Sequence, residues 1–389
     1  SFLPSIHSMG LGPPLSLLLL LFPLLTTVAG RYRCKGLDGK QVDWFAAYKL
    51  PTAVTNANGG KNFVYADANN PAWQLSRKPI DDADSAIGAT VSQAYGNDTS
   101  SFVLMYSDDG PVTPVDSYRG HAKGVLVFDG QSGFWLVHSV PNFPGLNSYI
   151  YPPTGFKFAQ SFLCVSVATD NLAAIGEQLM FIQSSPFKSQ LPDKFGTRFP
   201  ILRTVLAKRS LPSSATMFTS TAHIRTEGGT AFHAYAKHKK YQKDLWHDLV
   251  AADQGVSLGV QTWLNGGADD MHSACRTDGI NVFDVTDLTI MGANFSSSKD
   301  HSKWAVSDAA RRPVVCMGDL NRQKSQLSRG GGALCLEHAG IWRTYRGTVR
   351  DVEACGPAWA RGGGGADGAG WADSMKIVVY WMVVGTLAR

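Results

Sequence analysis

RGHAKGVLVFDGQSGFWLVHSVPN at 119–142 and DHSKWAVSDAARRPVVCMGDLN at 300–321 are two stretches with one plan. Each opens on a His-x-Lys pair, His121/Lys123 and His301/Lys303, and closes on an asparagine, Asn142 and Asn321, at nearly the same interval. Apolar runs that read as strands lie between the lysine and the asparagine: 124–128 (GVLVF) and 133–140 (GFWLVHSV) in the first, 313–318 (PVVCMG) in the second. Matching order in both stretches points to a duplicated unit. In an extended chain positions i and i+2 share a face, so each histidine projects beside its lysine. The expected fold is α/β, with two similar halves, each built on a central sheet, delivering one His, one Lys and one Asn to a cleft at their junction.

Further strands are expected at 101–106 (SFVLMY), 162–167 (FLCVSV) and 259–264 (GVQTWL), from β-branched and aromatic residues bounded by turn formers. A helix is expected over 170–181 (DNLAAIGEQLMF), opening on Asp170 as its cap. A longer amphipathic helix with a basic face is expected over 230–250. Strands alternating with helices are the mark of an α/β protein. The Pro-, Ser- and cation-rich stretch 190–216 divides the chain, giving halves at 31–200 and 201–358.

A phosphodiester needs a nucleophile, an acid for the departing oxygen, and cations for its phosphoryl oxygens. Two imidazoles can share the first two tasks, one attacking while neutral and one donating its proton, a combination favoured around or below a histidine pKa of about 6.5. The lysines supply point charges. The asparagine amides can orient the rings or donate to the same oxygens. There is no His-Glu-x-x-His, no cysteine–histidine cluster and no acidic triad in the sequence, so no metal and no other cofactor is expected. A covalent phosphohistidine resolved by water is the expected route.

The chain's 44% hydrophobic and 17% charged residues exclude a disordered protein, and a formal net charge of +5 suits an anionic partner without deciding for one. Residues 15–25 (LSLLLLLFPLL) followed by small residues to Gly30 read as a secretory signal, too short for a span of roughly 30 Å. Residues 1–30 are therefore expected to be removed, with Met9 the true start, and no stable membrane insertion is expected. Six cysteines, all downstream and none in a Cys-x-x-Cys pair, suit disulfides in an oxidising lumen. Asn97 and Asn294 open glycosylation sequons. The Gly-rich stretch and short apolar run at 359–389 form an atypical tail, read either as a final strand or as a translated intron or frameshift, and stand outside the functional argument.

Arg119-Gly-His-Ala-Lys-Gly-Val, Gly133-Phe-Trp-Leu-Val-His-Ser-Val-Pro-Asn-Phe-Pro, Asp300-His-Ser-Lys-Trp, Gly318-Asp-Leu-Asn-Arg and Arg329-Gly-Gly-Gly-Ala-Leu-Cys resemble animal deoxyribonuclease II, as does the stretch from Arg33-Cys-Lys-Gly to Val42-Asp-Trp-Phe-Ala-Ala-Tyr-Lys-Leu-Pro. The resemblance runs from about Arg33 to Cys355. It implies a phospholipase D-like pseudo-dimer and a metal-independent acid endonuclease. Such an enzyme leaves 3′-phosphate ends on double-stranded DNA from engulfed or dying cells, in the lysosome or after secretion. It places catalysis on His121, Lys123, His301 and Lys303. It implies the disulfides Cys34–Cys164, Cys316–Cys335 and Cys275–Cys355. Ala305 stands where many relatives have a cysteine, so that thiol is dispensable.

Other residues carry less. Asn142 and Asn321 are candidates for catalysis, although asparagine beside Pro or Arg is often a turn former. His138 reads as a core or supporting residue. Lys237, Lys239 and Lys240, with Tyr241 for stacking, are candidates for gripping phosphates, against a plain solvated helix face. Arg329-Gly-Gly-Gly lacks the Gly-Lys-Ser/Thr of a phosphate-binding loop and reads as a turn before a strand. The competing functions are a catalytically inactive DNA-binding relative and a lipid phosphodiesterase on the same fold. Both complete His-x-Lys pairs weigh against the first, and the lack of an apolar interfacial helix against the second. Self-association into a homodimer is left open.

Overall fold

The structure, a computed structural model, describes residue 2 and residues 31–54, 58–264, 269–277 and 279–354. The signal segment, Cys355 and the tail 359–389 lie outside the described residues.

Two sheets organise the described chain. The first contains β1 (Trp44–Lys49), β2 (Phe63–Asp67), β3 (Gln74–Leu75), β4 (Phe102–Ser107), β5 (Lys123–Phe128), β6 (Ser132–His138), β7 (Gln160–Ala168) and β8 (Pro186–Gln190). Their spatial order is β3-β2-β1-β7-β6-β5-β4-β8. The second contains β9 (Thr219–Arg225), β10 (Ala231–Lys237), β11 (Leu258–Gln261), β12 (Val282–Ile290), β13 (Ala293–Ser296), β14 (Trp304–Ser307), β15 (Val314–Gly318) and β16 (Gly331–Glu337). Their order is β13-β12-β11-β14-β15-β16-β10-β9, and β17 (Val349–Val352) pairs with β12.

The kernel β1-β7-β6-β5-β4 of the first sheet therefore repeats as β10-β16-β15-β14-β11 in the second, antiparallel throughout. This is the two-half α/β pseudo-dimer that the repeated motif implied. The flanking strands differ: β2 follows β1 in the chain, whereas its spatial counterpart β9 precedes β10.

The apolar runs are nearly continuous because most kernel strands are covered on both faces. One core lies between the sheets, with Tyr48, Leu104, Leu126 and Trp135 on one side and Phe232, Trp304, Met317 and Leu334 on the other. Helix α1 (Ala86–Ser92), started by the Ser85 hydroxyl accepting from the Gly88 N–H, covers the outer face of the first sheet. Helix α2 (Leu172–Ile182) inserts Leu172, Ile175 and Leu179 into the shared core. Its predicted cap is different: a 3-10 turn Thr169–Asn171 precedes it, and Asp170 pairs with Arg198 instead. The dividing stretch holds two short helices, Asp193–Arg198 and Ile201–Leu206.

The long helix expected over 230–250 is not formed. Residues Ala231–Lys237 are strand β10, hydrogen-bonded to β9 and β16, followed by a 3-10 turn Lys239–Tyr241 and a π-helix Trp246–Ala251. Phe232, Ala234 and Ala236 alternate into the inter-sheet core, a period of two that helix-favouring alanines disguised. The strand expected at 259–264 ends early, at Gln261.

Two disulfides staple the described residues. Cys34–Cys164 ties the N-terminal segment to β7 across a separation of 130 residues, an entropic constraint of about 4–5 kcal/mol on the unfolded chain. Cys316–Cys335 joins directly paired residues of β15 and β16. The proposed partner of Cys275 lies outside the described residues.

Candidate active site

Each His-x-Lys pair sits at the mouth of its strand rather than inside it. Lys123 is the first residue of β5 and Lys303 immediately precedes β14, so both histidines stand just outside the ladder. Their backbones are held by the opposite half. The His121 N–H donates to Gly330 O at 2.9 Å, and the His301 N–H donates to Ala159 O at 2.9 Å. Gly120 and Gly330 make that crossing possible, because a Cβ on either would lie 2.0 Å from the Ile182 carbonyl oxygen.

The two pairs face one another closely enough to share a field. Lys303 acts on His121, Lys123 acts on His301, and the two lysines act on each other. Burial, followed by the Lys303, Lys123 and Lys49 charges, pushes His301 down to about 2. Burial also drives His121 well below the ordinary histidine range; Asp108 opposes that shift, while Lys123, Lys303 and Arg329 add to it. Burial, then Lys123, lowers Lys303 to about 7, with Asp108, Asp300 and Asp319 opposing. The Lys303 ammonium donates to the His301 carbonyl at 2.9 Å.

The surroundings are not symmetric, and sheet register shows where they diverge. Ser107 pairs with Lys123, and continuing the β11–β14 register places Thr262 opposite Lys303. The next residues, Asp108 and Trp263, thus occupy corresponding places. Asp108 forms a buried ion pair with Lys123 and a second with Arg329 at 3.0 Å. Burial alone would raise its pKa, but Lys123, His121 and Arg329 outweigh this and hold it well below the usual aspartate range. Trp263 lies against the His301 ring at 3.5 Å between centroids, and Phe158 stacks on that ring at 4.4 Å and 9°. His121 has its Nδ1 at 2.9 Å from Gln326 Oε1. His301 Nε2 has no hydrogen-bond partner among the described residues.

The remaining candidates separate. Neither asparagine amide bonds to a histidine ring among the described residues. Asn142, in the left-handed region at φ 55°, donates to Asp109 Oδ1 at 2.7 Å and lines an open cleft with Lys157, Phe158 and His301. Asn321 Oδ1 accepts from the Trp263 backbone N–H at 3.3 Å, which ties it to the residue that stacks on His301. His138 is buried among Phe143 and Phe162, pushed down to about 3 by burial and then by Lys123.

Lys237 is not on a basic surface. It is fully buried and its ammonium donates to Gln326 O and Leu327 O at 3.3 and 2.8 Å. Lys240 is exposed, Lys239 lies over the exposed ring of Tyr118, and the Tyr241 hydroxyl donates to Asp248 O at 3.0 Å.

Sequence reasoning missed Lys49, Asp108, Phe158, Trp263, Gln326 and Arg329. The signals available were faint: Asp108-Asp109 directly after an apolar strand, and a lysine closing the apolar run WFAAYK.

A repeated antiparallel kernel that presents one His-x-Lys pair from each half to a common site defines a phospholipase D-like pseudo-dimer. The deoxyribonuclease II family model matches residues 33–355. The chain is 50% identical over 333 residues to cell-death-related nuclease 7 of Caenorhabditis elegans, covering 85% of this chain and 90% of that protein. It is 35% identical over 350 residues to deoxyribonuclease-2-alpha of Rattus norvegicus, covering 87% and 98%. It is 34% identical over 333 residues to plancitoxin-1 of Acanthaster planci, covering 83% and 92%. This chain belongs to the deoxyribonuclease II family.

Proposed function

We propose that this deoxyribonuclease II-type endodeoxyribonuclease cuts double-stranded DNA at acid pH, without a metal, through a phosphohistidine, leaving 3′-phosphate ends. The observation that carries the proposal is the unequal setting of two histidines that share one pair of lysines. His301, walled by Phe158 and Trp263 with no carboxylate among the described residues acting on it, is the ring kept neutral. His121, the ring on which Asp108 acts, takes up a proton more readily once a phosphate anion arrives.

His301 therefore attacks phosphorus, forming a P–N bond as the P–O5′ bond breaks, and His121 protonates the departing O5′. Water then attacks, the P–N bond breaks, and neutral His121 accepts the proton from water. The phosphate stays on the 3′-oxygen. Lys123 and Lys303 neutralise the phosphoryl oxygens throughout. Asn321 and Asn142 act indirectly, by placing Trp263 and the cleft wall. Lys239 and Lys240, with Tyr118 beside them, grip flanking phosphates.

The halves divide at 31–200 and 201–358. Entry through the signal segment, with sugars on the exposed Asn97 and Asn294, delivers the enzyme to lysosomes or outside the cell, where it degrades DNA of engulfed or dying cells. Plasmid relaxation at about pH 5 in the presence of chelator tests the reading. Nicked product with 3′-phosphate ends is expected, whereas loss of nicking on chelation or 5′-phosphate ends refute it.

The lysine sets an upper bound in pH. A lysine with its pKa lowered to about 7 is a cation below that value and loses its proton as pH rises through it. Activity is expected to fall as pH rises through about 7, well before ordinary lysines titrate at about 10.4. Undiminished kcat at about pH 8.5 would show that Lys303 need not be charged.

A further inference from the structure

We infer that Lys49 and Lys237 are positioning residues for the reaction, each fastening the loop of its own half that orients the histidine of the other half. The inference rests on reading His121 and His301 as the reacting groups.

The two lysines occupy equivalent places. Lys49 ends β1 opposite Gln160, the first residue of β7, and Lys237 ends β10 opposite Gly331, the first residue of β16. Both side chains are fully buried. Lys49 Nζ donates to Phe156 O at 2.6 Å and to Phe158 O. Lys237 Nζ donates to Gln326 O and Leu327 O. These carbonyls belong to the two short segments, 156–159 and 326–330, that lead into β7 and β16.

Each segment grips the histidine of the opposite half twice. The first holds His301 through Ala159 O and the stacked Phe158 ring. The second holds His121 through Gly330 O and the Gln326 side chain. The segments therefore set both the height and the plane of each ring, and a lysine anchors each segment within one or two residues of the side chain that touches the ring. Burying an ammonium is costly. A turn merely needing its carbonyls satisfied has cheaper donors in backbone amides and hydroxyls. The same choice at the same register in both halves, above segments whose sequences otherwise differ (FKFA and QLSRG), marks a shared task.

The test replaces each lysine by methionine in the full chain, keeping the stem and removing the donors. Lys49→Met is expected to lower kcat on the order of 10²-fold through misplacement of His301, with KM changed less than about two-fold. In ring-labelled protein it moves the NMR resonances of His301 and leaves those of His121 in place. Lys237→Met gives the reverse pattern. A purely structural lysine lowers the melting temperature and the yield of active sites, with kcat per titrated site unchanged. That result, or movement of the histidine in the same half, overturns the inference.

If a methionine variant does not fold, Lys49→Arg and Lys237→Arg decide. They keep charge and donors but push the segment with a longer, planar head, so kcat is expected to fall while KM holds. Wild-type kcat there overturns the inference. His301→Ala and His121→Ala run alongside: activity surviving in those variants dismisses the reading of the histidines themselves, whereas their inactivity with intact lysine variants dismisses only the lysines.

Discussion

Replacing His301 by alanine is expected to abolish nicking of plasmid DNA, by at least about 10⁴-fold in kcat, on natural and activated substrates alike. In the proposed route His301 supplies the nitrogen that forms the bond to phosphorus, and its loss leaves only His121, the ring that the route reserves for the proton. His121→Ala is expected to lose a comparable factor on DNA, because general acid assistance to a poor alkoxide leaving group is worth about 10²–10⁴-fold. The variants then part on a phosphodiester with a p-nitrophenolate leaving group, which departs without a proton. His121→Ala is expected to recover most of the first step there, read as a burst of nitrophenolate, whereas His301→Ala recovers none. A burst from His301→Ala and none from His121→Ala would exchange the two roles. The prediction has a structural source: Trp263 and Phe158 wall His301, while the Asp108 carboxylate acts on His121.

Asp108→Asn is expected to cost about 3–5 kcal/mol of stability in chemical denaturation, because it leaves Lys123 and Arg329 facing a neutral amide in a buried site. Removing Arg329 as well, in Asp108→Asn/Arg329→Met, is expected to restore part of that loss. An exposed ion pair would contribute little; a change under about 1 kcal/mol would mean that solvent reaches this pair. The sign of the pH dependence follows from the lowered carboxyl. Since the folded-state pKa lies below the unfolded value of about 3.9, the stabilisation is fully present above that value and is lost only as pH falls through the folded-state range. An enzyme proposed to work near pH 5 thus keeps the carboxylate that supports Lys123 and acts on His121 charged throughout its working range.

Much of the site was legible in the chain because its chemistry is local. His-x-Lys is a two-residue spacing that holds in any extended backbone, and it recurs with an asparagine at a matched distance. Apolar runs such as FVLMY and FWLV declared strands because both their faces are buried. The chain also declared its family, through motifs spread from Arg33 to Cys355. Where local reading failed, at 230–250, the failure was also physical: alanines and lysines favour a helix in isolation, but pairing with β9 and β16 and the alternating burial of Phe232, Ala234 and Ala236 prevail over propensity.

The sequence by itself singled out the two His-x-Lys pairs as the candidate reacting groups, since a pair two residues apart travels with its strand wherever that strand goes. Only the tertiary structure decided what surrounds each group. Asp108 and Trp263 hold corresponding places in a duplicated fold, and strand pairing, not a fixed local spacing, sets them beside the two His-x-Lys pairs. Lys49 and Lys237 each fasten a segment of their own half whose residues touch the opposite histidine. A pKa in a buried site is set by whatever burial and packing bring within a few ångströms, and the neighbours that come from the opposite half exist only once the two sheets have closed on one another.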